Sequence, residues 1–176
     1  MKPRFQQAEY DGLCGFYAAL NAMRFLEEQN PARFGPLPRK DQDLFNDAVD
    51  CLSAIGVGID IIRGDGGLIE GRIARVCSAL KLEYDLPIRV HRISRLHKSN
   101  WRSFSDVLAA AKQLSPSKAF AIVASCEDGR HWTAYGQASD GSEFRFDSSI
   151  NVRSRKVDGR TTKAFGHEEG VILSPE

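Results

Sequence analysis

At 176 residues, 42% of them hydrophobic, the chain is long enough for one well-packed core and too short for two, so a single domain spanning 1–176 is expected. Its 24 Lys and Arg stand against 23 Asp and Glu, and the net charge of +1 supplies no global field for nucleic acid or a membrane surface. No segment is apolar for long enough to span a bilayer, and "MKPRFQQAEY" lacks the apolar core of a secretory signal, so the chain reads as cytoplasmic, or as exported without a cleavable signal.

The first strong helix pattern covers 13–26. Its opening half, "LCGFYAAL", is apolar on every side and is expected to be buried, while Asn21, Arg24 and Glu28 share a polar stripe expected to reach the surface. A Pro/Gly-rich connector, "NPARFGPLP", stops it. Helices then fit 41–55, with Leu44, Ala48, Cys51 and Ile55 on one face, and 68–82, with Ile69, Ile73, Val76, Cys77 and Leu80 inward, which makes Cys51 and Cys77 core thiols.

From Tyr84 the period changes to two. Tyr84, Leu86, Ile88 and Val90 alternate with polar residues as in a half-buried strand, and Pro87 suggests a sheet edge. Ser103 with Asp106 resembles a capping box opening a short helix through Leu114. The rest reads as strands at 119–125, 131–137, 143–149 and 170–174, separated by turn residues. Helices dominate the first half and antiparallel strands the second. The expected class is α+β, an N-terminal helical layer with a buried central helix packed on a C-terminal antiparallel sheet.

Cys14 begins the first helix pattern, between Gly12 and Gly15. A thiol there meets the positive end of the helix dipole and unpaired backbone N–H groups, both of which favour thiolate. The flanking glycines leave room for a carbonyl to approach the sulfur. The apolar run around it fits a plain core cysteine equally well. The four cysteines, at 14, 51, 77 and 126, lack the close pairs of a structural zinc site, and no metal is expected.

Among four histidines, His131 has the best setting for a base, because it follows the turn "EDGR" at a strand entrance. Asp147 ends the strand "EFRFD", sixteen residues further on. A five-residue hairpin loop centred on Ser139 would set positions 131 and 147 directly opposite each other, on one face. A two-residue Asp140-Gly141 turn would instead pair Asp147 with Ala134 and leave His131 about 10 Å along the ladder. The sequence permits both, and the longer loop is the expectation adopted.

The segments "QQAEYDGLCGFYAALNAM", "GRHWTAYG" and "FRFDSS" resemble, in that order, the papain-like cysteine peptidases, above all the compact bacterial peptidases of the C39-like, bacteriocin-leader-processing kind. The resemblance implies a hydrolase with Cys14 as nucleophile, His131 as base, Asp147 orienting the imidazole and Gln7 as oxyanion donor, acting on a protein or peptide without a cofactor. The family's glutamine normally stands nearer its cysteine than Gln7 does, which leaves Gln6 and Gln7 as alternatives and hints at a bulge in "AEYDG". A Gly-Gly segment before a helix, here Gly66 and Gly67, often pairs with the substrate backbone in such enzymes. With Trp132 these glycines make up the expected substrate-binding set. The same thioester would also serve an acyltransferase or transglutaminase-like enzyme, and such a fold also survives as a binding module without catalysis. Two basic stretches, 89–102 and 153–163, are solvated surface or contacts for an acidic partner.

Overall fold

The apolar run that opens at Leu13 forms α1 (Cys14–Gln29), whose residues are almost all buried from Cys14 to Leu26. The computed structural model to which this helix belongs describes residues 13–32, 34, 37–54, 56, 69–96, 101–126, 131–146, 155–156 and 165–176. Within them α2 (Asp41–Ala54) and α3 (Glu70–Glu83) follow, then β1 (Ile88–Arg92), the single-turn α4 (Ile93–Leu96) and α5 (Phe104–Leu114). The chain ends in β2 (Phe120–Cys126), β3 (Trp132–Gln137), β4 (Glu143–Phe146), the two-residue β5 (Arg155–Lys156) and β6 (Phe165–Pro175). No helix among the described residues is long and apolar enough to cross a membrane.

The six strands form one sheet in the order β1-β6-β2-β3-β4-β5, and every described pairing is antiparallel. The mixed α+β class and the antiparallel sheet agree with the sequence. The expected helical layer covers one face of the sheet, and a second layer, not foreseen, covers the other. Ala121, Val123, Ala134, Val171 and Leu173 point into a core shared with α1, α2 and α3. Phe120, Ile122, Ala124, Tyr135 and Ile172 point the other way, against α4 and α5. Double coverage explains why "AFAIVA" is continuously apolar where a half-exposed strand would alternate.

The polar stripe of α1 also departs from expectation, since Asn21 and Arg24 are each only 3% exposed. Arg24 is enclosed because its guanidinium finds partners there. It donates to Glu27 at 2.8 Å and to the carbonyl of Pro38, and its Nε lies 3.1 Å from Asp41. A buried arginine persists only with such company, and this one ties the connector after α1 to the start of α2. Cys77 is buried as expected, while Cys51 is only half-buried.

β1 starts four residues later than the alternation suggested. Residues 80–83 stay helical, Tyr84 caps α3, and Asp85 turns the chain with φ 47. β1 is an edge strand, as Pro87 implied. The helix at Phe104 starts as read, with the Asp106 carboxylate accepting from the amides of Arg102 and Ser103 at 2.7 and 3.0 Å.

One carboxylate joins four elements. Glu70, the first residue of α3, is 3% exposed. It accepts from the Ser94 amide at 2.8 Å, the Ser94 hydroxyl, Arg92 Nε at 2.9 Å and the Gly170 amide at 3.2 Å. Burial alone would raise its pKa, but the hydrogen bonds from Ser94, Arg92 and Gly170 outweigh burial and hold the carboxyl below the usual carboxylate range. A lowered folded value stabilises fully above the unfolded pKa, and that stability is lost as pH falls through the folded one. Glu70→Gln is therefore expected to cost about 3 kcal/mol at neutral pH. Urea melts of the two proteins should converge on acidification toward pH 3, and a difference constant with pH would show that the charge contributes nothing.

Candidate active site

Cys14 is the first residue of α1 and 6% exposed. Leu13 occupies the N-cap position and offers no capping side chain of its own. The Leu13 carbonyl accepts from the amides of Phe16 and Tyr17 at 2.9 and 3.0 Å, so the amides of Cys14 and Gly15 precede the first intrahelical donor. Those two N–H groups, with the helix dipole behind them, form an electropositive end beside the sulfur. Aromatic contacts fix this end in place. Phe45 of α2 packs edge-on against Phe16 at 5.3 Å and stacks on Tyr17 at 5.8 Å between ring centroids.

Further along α1, Phe25 lies directly on β3. A Cβ at Gly136 would sit 2.7 Å from the Phe25 ring, which is also packed against Phe144 and Phe146 at 5.9 and 5.4 Å. Glycine at 136 is what lets α1 approach the strand this closely.

Trp132 and Ala134 face α1, in the same buried cluster as Cys14, and Tyr135 faces the opposite layer. Trp132 is 7% exposed, so it contributes wall more than open surface to any cleft. His131 immediately precedes β3 and is half-buried. The ladder to β2 stops at Ser125↔Trp132, one residue short of the histidine.

The β3–β4 hairpin corrects the expected register. Ala134 pairs with Phe146 and Gln137 with Glu143, leaving a loop of residues 138–142 centred on Asp140, not on Ser139. The cause is local. Gly141 takes φ 85, its amide donates to the Ala138 carbonyl at 3.0 Å, and Ala138 N–H donates to the Ser142 carbonyl at 2.8 Å. The Asp140 side chain accepts from the Ser142 amide. Within the five-residue loop, Ala138 and Ser142 thus close a tight turn over residues 139–141 that ends on the left-handed glycine. It moves the pairing by two residues from the one that sets positions 131 and 147 directly opposite. Asp147, Gln6, Gln7, Gly66 and Gly67 lie outside the described residues.

The other described thiols differ from Cys14 in setting. Burial pushes Cys77 up to about 12, and burial together with Glu83, Asp47 and Asp50 raises Cys51. Both shifts disfavour thiolate. The Glu70 cluster was not anticipated from the sequence, where the only hint was an acid in the first turn of a helix. Compared with known families and with curated proteins, the chain matches no family model and no curated sequence.

Proposed function

We propose that the protein is a cysteine hydrolase that cleaves a peptide or isopeptide bond through a thioester on Cys14, with a papain-like arrangement of Cys14, His131 and Asp147. The observation that carries this reading is the seating of α1 on β3. From the Phe25–Gly136 contact, eleven residues of helix back to Cys14 cover about 16 Å. Five residues of extended chain back to His131 cover about 17 Å. The portion of α1 before Phe25 is buried but for the half-buried Tyr17. A helix running back parallel to β3 would bring the thiol and the imidazole to the same end of the sheet. The triad also requires the backbone to leave strand geometry at His131, because strict alternation from Trp132 would turn position 131 toward the other layer. The β2–β3 ladder ends at just that point.

In the cycle, His131 accepts the Cys14 proton and the thiolate attacks the substrate carbonyl carbon. The oxyanion is met by the Cys14 amide and by the Gln7 side chain. The C–N bond breaks as His131 returns its proton to the leaving amine, giving the thioester. His131 then deprotonates a water that attacks the thioester, the C–S bond breaks, and the sulfur recovers its proton. Asp147 holds the imidazole tautomer.

Three substitutions examine the parts outside the described residues. Asp147→Asn should lose less activity than Cys14→Ala, because an amide also orients an imidazole. Gln7→Ala should lower turnover by about a hundredfold or more while Gln6→Ala is nearly silent, as for loss of one preorganised donor. If Gln6→Ala is the damaging change, the oxyanion assignment moves to Gln6. The reaction class is tested by trapping the acyl-enzyme from a peptide ester and offering water with or without an amine. Hydrolysis is the expected fate, and transfer to the amine with little hydrolysis would make the protein an acyltransferase.

A further inference from the structure

One groove lies away from Cys14, between α3 and the open edge of the sheet. It encloses about 630 Å³, with Arg75, Ser78 and Ala79 of α3 on one side and His91 and Arg92 of β1 with Arg95 of α4 on the other. Three features make it suited to an extended chain. Among the described residues β1 pairs only with β6, so its second edge offers unused backbone N–H and C=O groups. The α3 wall carries Gly71, Ala74, Ser78 and Ala79 where longer side chains would fill the space. At one end stands Leu82, 81% exposed, an apolar contact with nothing packed on it.

The charge in the groove selects the occupant. Arg92 is neutralised by Glu70 at 2.8 Å. Arg75 and Arg95 are exposed and have no ion pair among the described residues. Nε2 of His91 is enclosed without a hydrogen-bond partner among those residues. A second copy of the chain is a poor occupant, since pairing two β1 edges would bring Arg75, Arg89 and Arg95 of both copies together.

We propose that this groove docks an acidic segment of a partner polypeptide in extended conformation, added as a strand to the open edge of β1. Main-chain bonds to β1 supply binding energy that is blind to sequence, and Arg75 and Arg95 supply selection for carboxylates. Burial of apolar side chains against Leu82 adds to both. The proposal stands whether or not Cys14 is a nucleophile, because nothing in the groove belongs to the proposed triad.

The test uses the full chain and a labelled peptide of about ten residues alternating Glu with Val. The expected results are saturable binding, amide shift changes confined to β1, α3 and α4, and no binding of the Lys-for-Glu peptide. The double variant Arg75→Glu, Arg95→Glu alters two exposed side chains and should fold normally. It should weaken binding by at least about tenfold, as should raising the salt. N-methylating alternate peptide nitrogens should abolish binding in one register and spare it in the other. The proposal is overturned by absence of acidic-peptide binding to folded protein, or by indifference to N-methylation in both registers. Tighter binding of a single-stranded oligonucleotide through the same residues would overturn it in favour of nucleic acid. Dimerisation through β1 that the peptide cannot reverse would overturn it in favour of a second copy.

Discussion

Cys14→Ala is expected to lower turnover by at least about 10⁴-fold, because removing the nucleophile of a covalent mechanism leaves only binding and oxyanion stabilisation. The fold should survive. Cys14 stands at the first position of α1, alanine is the best helix former, and the lost burial of one sulfur is worth about 1 kcal/mol. Circular dichroism and a thermal melt separate the two effects. An inactive protein with a near-native melt is the expected outcome. Full turnover in Cys14→Ala would end the thioester mechanism and move the search to another thiol, with Cys126 next because it lies five residues before His131 in the sequence.

His131→Ala is expected to be nearly as damaging, with kcat reduced by about 10³-fold or more and KM little changed. The imidazole both takes the thiol proton and returns it to the leaving amine, so its loss acts on the chemical step and not on binding. The residue is half-buried at the entrance to β3, where its removal disturbs no described ladder pair. A stopped-assay comparison of kcat and KM decides it. An effect confined to KM would make His131 a substrate contact, and the base would have to be found elsewhere.

Much of the scaffold for these two residues was legible from periodicity. The all-round apolar run after Cys14 marked α1, and the stripes through Leu44 and Ile73 marked α2 and α3, because a helix packed on a core must place apolar side chains at that spacing. The strand at Tyr84 was misplaced for a physical reason. Tyr84 and Leu86 fall on the alternating positions, yet the first caps a helix and the second follows the left-handed turn at Asp85. Similarly, β6 reaches back to Phe165 although "GHEEG" has no strand pattern, because Phe165 pairs with Cys126 beyond an irregularity that begins after Ala124.

The site was less legible than the scaffold. Residue types and order pointed to Cys14, His131 and Asp147, but the hairpin register depends on which residue takes the left-handed turn position. Both Asp140 and Gly141 suit a turn, and the structure gives that position to Gly141. The buried state of Arg24 was equally hidden. A helical stripe shows that three polar residues share a face, and says nothing of the connector that folds back over it to supply Pro38 and Asp41. Glu70 leaves no periodic trace because its partners lie in β1, α4 and β6, far away in sequence.

The most direct test of the central claim is labelling with a short peptide that carries a thiol-reactive electrophile in place of its scissile carbonyl, followed by peptide mapping. The account predicts one adduct per chain, on Cys14, with Cys51, Cys77 and Cys126 unmodified, and a labelling rate that collapses in His131→Ala while the fold persists. Labelling spread over Cys51 or Cys126, or a Cys14 that reacts at the rate of a simple thiol and is indifferent to His131→Ala, would contradict it.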